Sequence, residues 1–104
     1  MAKLVRDKIP DIMRARDQIP LTKIAESDDE YFHFLQMKLR EEVSEFVEAC
    51  TSMTKADAEE ELADIFEVLD AICGLKKLDH ASIQKQKVNK VLKKGAFNKR
   101  IILI

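Results

Sequence analysis

Turn-forming residues are scarce in this chain of 104 amino acids, which contains two glycines and two prolines. An all-β sandwich needs many tight turns, so this scarcity argues against that fold class. Hydrophobic residues make up 46% of the chain. This share excludes intrinsic disorder, because disordered chains lack the apolar residues that offset the entropy of ordering. The abundance of Ala, Glu, Lys and Leu favours helix.

Three further absences narrow the class of protein. No apolar run approaches the roughly 20 residues of a membrane span, and the charged start Lys3–Lys8 lacks the apolar stretch of a signal peptide. We therefore expect a cytoplasmic protein with no membrane partner. Eighteen basic residues against nineteen acidic ones leave no positive excess for binding polymeric nucleic acid. The two cysteines, Cys50 and Cys73, do not have the spacing of a zinc site.

The spacing of apolar residues predicts a helical hairpin. Apolar residues recur three and four apart from Phe32 to Cys50 and again from Ala58 to Cys73, which is helical periodicity. A short turn joins the two predicted helices, residues 29–50 and 55–75, so we expect them to lie antiparallel. One hairpin is too thin to cover its own apolar seam, and at least a homodimer is therefore expected.

Shorter elements are predicted on either side of the hairpin. A short helix over residues 10–17 has proline in its first turn, and a third long helix covers residues 81–94. Leu21–Ala25 is predicted to be a short strand. The tail Ile101–Ile104 is too apolar to stay in water, so it is predicted to pack as a short strand or hook against Leu21–Ala25 or a partner subunit. The predicted fold class is all-α, with a single domain over the whole chain that assembles into a helical bundle in an oligomer.

Two pairs of acidic residues on the hairpin are the most informative feature. Glu42 and Glu45 lie three apart on the first long helix, and Glu61 and Asp64 lie three apart on the second. Residues three apart are neighbours on a helix surface. At about 100° of rotation per residue, both pairs fall on the same rotational side of their apolar faces. Antiparallel packing then brings the four carboxylates to one edge of the hairpin.

A cluster of four carboxylates has two interpretations. Such groups repel one another beside an apolar seam, and a divalent cation would relieve the repulsion. Oxygen ligands without histidine or cysteine suit Mg²⁺, with Mn²⁺ as the second choice. The alternative is a solvated acidic face, because acidic pairs are common on helices. The hairpin would then be a non-catalytic interaction module with a basic partner. If a cation does bind, it could also have only a structural role in the bundle.

The same acids form a recognisable motif. Glu41-Glu42-x-x-Glu45, followed after fifteen residues by Glu61-x-x-Asp64, resembles the EExxE…ExxD signature of the all-α nucleoside triphosphate pyrophosphohydrolase superfamily. That superfamily includes MazG-like enzymes, dimeric dUTPases and phosphoribosyl-ATP pyrophosphohydrolase.

Both ends of the chain extend this resemblance. The opening Leu4–Pro10 is similar to the "LVRDKIPEII" start of a branch that is phosphoribosyl-ATP pyrophosphohydrolase-like. The segments Lys94–Phe97 and Lys99–Leu103 are similar to the "RGGF…KRIxL" tail of that branch. The resemblance therefore covers nearly the whole chain.

The resemblance implies helical hairpins that pair into a bundle across a dimer or higher oligomer. It also implies Mg²⁺-dependent cleavage between the α- and β-phosphates of a nucleotide, which gives a nucleoside monophosphate and pyrophosphate. The implied substrate is phosphoribosyl-ATP or a surplus or non-standard nucleoside triphosphate. Carried over by position, the implied metal ligands are Glu42, Glu45, Glu61 and Asp64, and the implied catalytic carboxylates are Glu41, Glu42 and Glu45.

Basic residues are candidates to bind substrate phosphates. Lys38 lies one turn before Glu42, where it can contact a phosphate or form an ion pair with that glutamate. Three lysines share one face of the third long helix, in a segment roughly similar to the phosphate-binding "KFxRR" segment of MazG-like relatives; a solvated face is the alternative. Near the start of the chain, Arg6 or Lys8 is predicted to reach phosphates in its own or a neighbouring site. The predicted substrate-binding residues are Lys38, Lys87, Lys90, Lys94, Arg6 and Lys8.

Overall fold

The computed structural model describes residues 2–104, and within this range it is all-helical. The four helices are α1 (Ile9–Ala15), α2 (Asp28–Ser52), α3 (Lys55–Lys76) and α4 (His80–Lys94). The prediction of an all-α fold is confirmed, and each predicted helix is present with ends shifted by at most two residues.

The predicted strand at Leu21–Ala25 is wrong, and the tail Ile101–Ile104 does not pack as a strand within the described chain. Neither Leu21–Ala25 nor Ile101–Ile104 has strand structure, and Leu21 is 98% exposed while Leu103 is 97% exposed. A strand needs a second backbone with which to pair, and in the described chain neither segment finds one. The apolar character of the tail therefore predicted burial that the described single chain does not provide.

The beginnings of the long helices are fixed by local hydrogen bonds. The Ser27 hydroxyl accepts a hydrogen bond from the Glu30 backbone N–H at 3.1 Å, at the start of α2. Thr54 and Asp57 form a reciprocal capping box at the start of α3. At the start of α4, the Asp79 carboxylate accepts a hydrogen bond from the Ser82 backbone N–H. These caps satisfy N–H groups that have no partner within the helix.

Helices α2 and α3 form the core of the molecule. Only Met53 and Thr54 separate them, so they fold back antiparallel and pack along their length. The buried apolar side chains are Leu35 and Ala49 on α2, and Ile65 and Val68 on α3. The predicted antiparallel hairpin is therefore confirmed.

An acidic residue lies within the apolar seam of this hairpin. Leu35, Glu42 and Ala49 are spaced seven residues apart on α2 and are the buried residues of that helix. In contrast Val43 is 43% exposed and Val47 is 56% exposed. Helix α2 thus packs on α3 through a face that includes Glu42. The apolar side chains of Val43 and Val47 remain uncovered.

The N-terminal residues cross the hairpin. Residues 2–8, which we call the N-terminal strap, lie against α2 through Leu4, which shares a groove with Phe34 and Met37. Further along the strap, Arg6 pairs with Asp64 on α3. The strap therefore spans from one hairpin helix to the other on the acidic side.

Much apolar surface is left open in the single chain. Helix α4 contributes no buried residue. The radius of gyration is 17.6 Å, whereas a compact chain of this length has about 13 Å. Within residues 2–104, no helix is long and apolar enough to cross a membrane.

Candidate metal centre

Three carboxylates meet on one edge of the hairpin. Glu42 and Glu45 project from adjacent turns of α2, and Glu61 reaches them from α3. One oxygen from each of the three lies within 4.8 Å of the others. The spacing of three along α2 and the antiparallel partner helix together produce this convergence, as the sequence predicted.

Two oxygen atoms in this cluster are buried without a hydrogen-bond partner in the described chain. They are Oε2 of Glu42 and Oε2 of Glu61. Glu42 as a whole is only 5% exposed. A buried carboxylate oxygen without a partner is costly, because it has lost its water and gained nothing in return. A cation between the carboxylates would satisfy both oxygens, so these residues fit a divalent metal with oxygen ligands.

The electrostatics of the cluster lead to the same conclusion. Burial raises the pKa of the Glu42 carboxyl; the hydrogen bond from Lys38 opposes this shift, and the charge of Glu45 adds to it. Burial and the charge of Glu61 raise the pKa of Glu45. Raised pKa values mean that the ionised forms are destabilised here, and a bound cation would reverse that effect.

Lys38 lies at the edge of the carboxylate cluster. Its Nζ is 3.3 Å from Oε1 of Glu42 and 3.7 Å from Oε2 of Glu41. The ion pair considered for Lys38 is therefore present, and it leaves Oε2 of Glu42 free. Glu41 is half-buried and lies outside the group of three. Its predicted catalytic role stays a prediction.

Asp64, the fourth predicted ligand, has a different partner. A guanidinium nitrogen of Arg6 lies 2.7 Å from Oδ1 of Asp64, and a second nitrogen lies 3.8 Å from Glu67. Asp64 remains close enough to raise the pKa of Glu42. The structure thus places it beside the three converging acids, with Oδ1 accepting a hydrogen bond from Arg6 of the strap. Its predicted role as a metal ligand stays a prediction.

The sequence could not identify this pair. Arg6 and Asp64 are 58 positions apart, and no periodicity connects an irregular strap to a helix. The only signal was the Arg6-Asp7-Lys8 run between apolar residues. That run suggested a contact with charge, although phosphate was the partner we expected.

The other predicted basic residues lie elsewhere. Lys87, Lys90 and Lys94 line a groove on α4 together with Phe97, and no acidic residue lines that groove. Lys8 is exposed at the N-cap of α1. In the described part of the chain, the structure does not bring these four cations into the carboxylate cluster.

Comparison with known proteins identifies the family. The family model described as phosphoribosyl-ATP pyrophosphohydrolase matches residues 11–90, which is more than half of the chain. The chain belongs to this family. Membership confirms the superfamily resemblance drawn from the acidic motif. All five acids of that motif and Lys38 lie inside the matched range of the phosphoribosyl-ATP pyrophosphohydrolase family, whereas Arg6 lies outside it.

One similar protein is described as an uncharacterized protein of Mycolicibacterium smegmatis (strain ATCC 700084 / mc(2)155). It is 49% identical over 51 residues, which cover 49% of this chain and 51% of the relative. The chain thus spans about half the length of the curated relative that it matches. No solved structure matches the chain significantly.

Proposed function

We propose that this chain is a Mg²⁺-dependent nucleotide pyrophosphohydrolase, which cleaves a nucleotide between its α- and β-phosphates. The observation that supports this most strongly is the pair of buried, unpartnered oxygens on Glu42 and Glu61, within a cluster of three carboxylates. Family membership supplies the class of reaction. Phosphoribosyl-ATP and non-standard or surplus nucleoside triphosphates are the proposed substrates.

Different residues of the site would bind the cation, bind the phosphate and accept a proton. Glu42, Glu45 and Glu61 would hold the cation, which when bound neutralises phosphate charge and activates water. Lys38 can donate a hydrogen bond from the rim to a phosphate oxygen. A carboxylate outside the three, Glu41 or Asp64, can accept the proton of the attacking water. The water oxygen bonds to phosphorus as the bond to the pyrophosphate oxygen breaks, and the electron pair leaves with pyrophosphate.

The burial within the cluster favours catalysis with a metal over a simple acidic docking surface. A surface that binds a basic partner needs accessible negative charge, and it gains nothing from carboxylate oxygens that are sealed from solvent. A structural cation is the other alternative. It would stabilise the hairpin without turnover, so the experiment must measure a product.

The experiment is pyrophosphate release across a panel of nucleoside triphosphates and phosphoribosyl-ATP, with Mg²⁺ or with EDTA. We expect release that requires the metal and falls about 100-fold or more in Glu61→Gln. The matched control is Glu60→Gln on the exposed face of the same helix, which should keep wild-type activity. No release from any nucleotide by folded, Mg²⁺-saturated protein would contradict the proposal.

We also propose that the chain works as a homodimer or a higher homo-oligomer. Val43 and Val47 each lie two positions from Glu45, which is about 160° around α2. Phe66 has the same relation to Asp64 on α3. Exposed apolar residues therefore occupy the hairpin edge opposite the acids, and a second copy would cover that edge while leaving the metal centre open.

A further inference from the structure

A groove lies between the N-terminal strap and α2, next to the metal centre. Its volume is about 320 Å³, and it is lined by residues 2–4 and by Phe34, Met37, Lys38 and Glu41. Lys38 belongs to both places, because its Nζ is also 3.3 Å from Glu42. Lys38 therefore connects the groove to the carboxylate cluster.

The walls of this groove offer two kinds of contact. Leu4, Phe34 and Met37 present apolar surface on opposite sides. The backbone of residues 2–5 makes no hydrogen bond within the described chain, so its N–H and C=O groups are available to a ligand. Apolar surface with a few convergent polar groups is typical of small-molecule sites. A flat heterocycle with hydrogen-bonding edges matches both kinds of contact.

The size and charge of the groove limit what can occupy it. Its volume is near the lower end of the roughly 300–1,000 Å³ typical of ligand pockets. It can hold a nucleoside but not a triphosphate chain as well. The cations on its rim, Lys3 and Lys38, suit an anionic group that continues from the groove toward the metal centre.

We infer that this groove binds the nucleoside portion of the nucleotide, with the phosphates passing Lys38 to reach the three carboxylates. This inference rests on the proposed function. The base packs against Phe34 and Met37, and the free backbone groups of the strap contact its polar edge. The ion pair between Arg6 and Asp64 ties the strap to α3 and so holds the outer wall of the groove in place.

The test separates nucleoside binding from phosphate binding. The probes are the common nucleoside 5′-monophosphates and inorganic pyrophosphate, each titrated with Mg²⁺ into the full chain by calorimetry. We expect Met37→Ala to weaken monophosphate binding about fivefold, through lost apolar contact, and to leave pyrophosphate binding unchanged. Leu4→Ala should act similarly from the opposite wall. The matched control Met53→Ala, about 24 Å along α2 from Met37, should bind both probes like the wild type.

Two further readouts decide the outcome. Amide shifts in the NMR spectrum should change at residues 2–5 and near Phe34 when a monophosphate binds. In the pyrophosphate-release assay, Met37→Ala should raise KM about fivefold with kcat within twofold of wild type. Wild-type binding by both groove variants, or shifts confined to the groove on α4 or to residues 101–104, would overturn the inference.

The same data distinguish failure of the inference from failure of the proposed function. Pyrophosphate release with an unchanged KM in both groove variants overturns the groove as the nucleoside site and leaves the activity standing. Monophosphate binding in the groove without release from any nucleotide overturns the activity and leaves a nucleoside site. Absence of both binding and release overturns both.

Discussion

At the residue scale, Glu42 is the residue on which the site and the core both depend. It lies in the buried line between Leu35 and Ala49, where an apolar side chain would pack without cost. Its carboxylate is instead desolvated and faces two other acids. The metal-free protein therefore carries an unfavourable interaction in the middle of its seam, and a bound cation would remove it.

This arrangement predicts how stability depends on pH. The folded pKa of Glu42 and of Glu45 is raised, so the folded state binds protons more tightly than the unfolded state does. The contribution of these protons to stability is fully present below the unfolded pKa and is lost as pH rises through the folded pKa. Added Mg²⁺ should restore the lost stability, because the cation takes the place of the protons.

Thermal unfolding in EDTA from about pH 4 to about pH 8 measures this effect. The reference variant is Glu42→Gln, which keeps the shape of the side chain but cannot ionise. The variant should become more stable than the wild type as pH rises. A difference between the two proteins that does not change with pH would contradict the expectation.

Arg6 allows a second prediction at this scale. Removing its charge in Arg6→Ala makes the acidic edge more negative and frees Asp64, so Mg²⁺ affinity should rise about threefold. Nucleotide affinity should fall, because the strap loses its attachment to α3. The control is Arg14→Ala, which removes an exposed arginine paired locally with Asp11. Magnesium titrations of the two variants check the first effect, and equal affinities would refute it.

At the element scale, the helices were predictable because their signals are local. Ser27, Thr54 and Asp79 are capping residues that act on N–H groups within three positions. The carboxylate cluster was predictable for a similar reason: helical rotation and a short turn fix which residues share an edge. The wrong strand prediction and the missed Arg6–Asp64 pair have a different cause. A strand and an ion pair of this kind both depend on a partner that is distant in sequence.

The cap of α3 gives a prediction for this scale. The Thr54 hydroxyl accepts a hydrogen bond from the Asp57 N–H at 3.2 Å, and the Asp57 carboxylate accepts one from the Thr54 N–H at 3.2 Å. Thr54→Ala should lower the free energy of unfolding by about 1 kcal/mol. Thr22→Ala, at an exposed position outside the helices, is the control. Urea unfolding compares them, and equal midpoints would contradict the capping role.

At the scale of the whole molecule, the core of a single chain is small. Among residues 2–104, four apolar side chains are buried, while Phe66 and Leu69 on the hairpin and the tail beyond α4 stay exposed. The sequence predicted this incompleteness because one hairpin is too thin to cover its own apolar seam, but it could not show which face of the hairpin would stay open. That depended on Glu42, and not Val43, lying in the seam.

A prediction about assembly follows. The wild type should be at least a dimer at micromolar concentration, and Phe66→Asp should weaken association about 100-fold by placing a charge in the apolar interface. Ile19→Asp makes the same kind of change at an exposed site outside the hairpin and should leave the mass unchanged. Light scattering after gel filtration measures each mass, and a monomeric wild type would rule the proposal out.

The buried line Leu35–Glu42–Ala49 also bears on how such a protein can evolve. A leucine at position 42 would improve packing and remove the desolvated charge, so selection for stability alone favours losing the glutamate. A descendant that did not need the proposed metal centre would therefore become more robust through one substitution. An acid retained at this seam position in a related sequence would then be evidence that the proposed activity is under selection there.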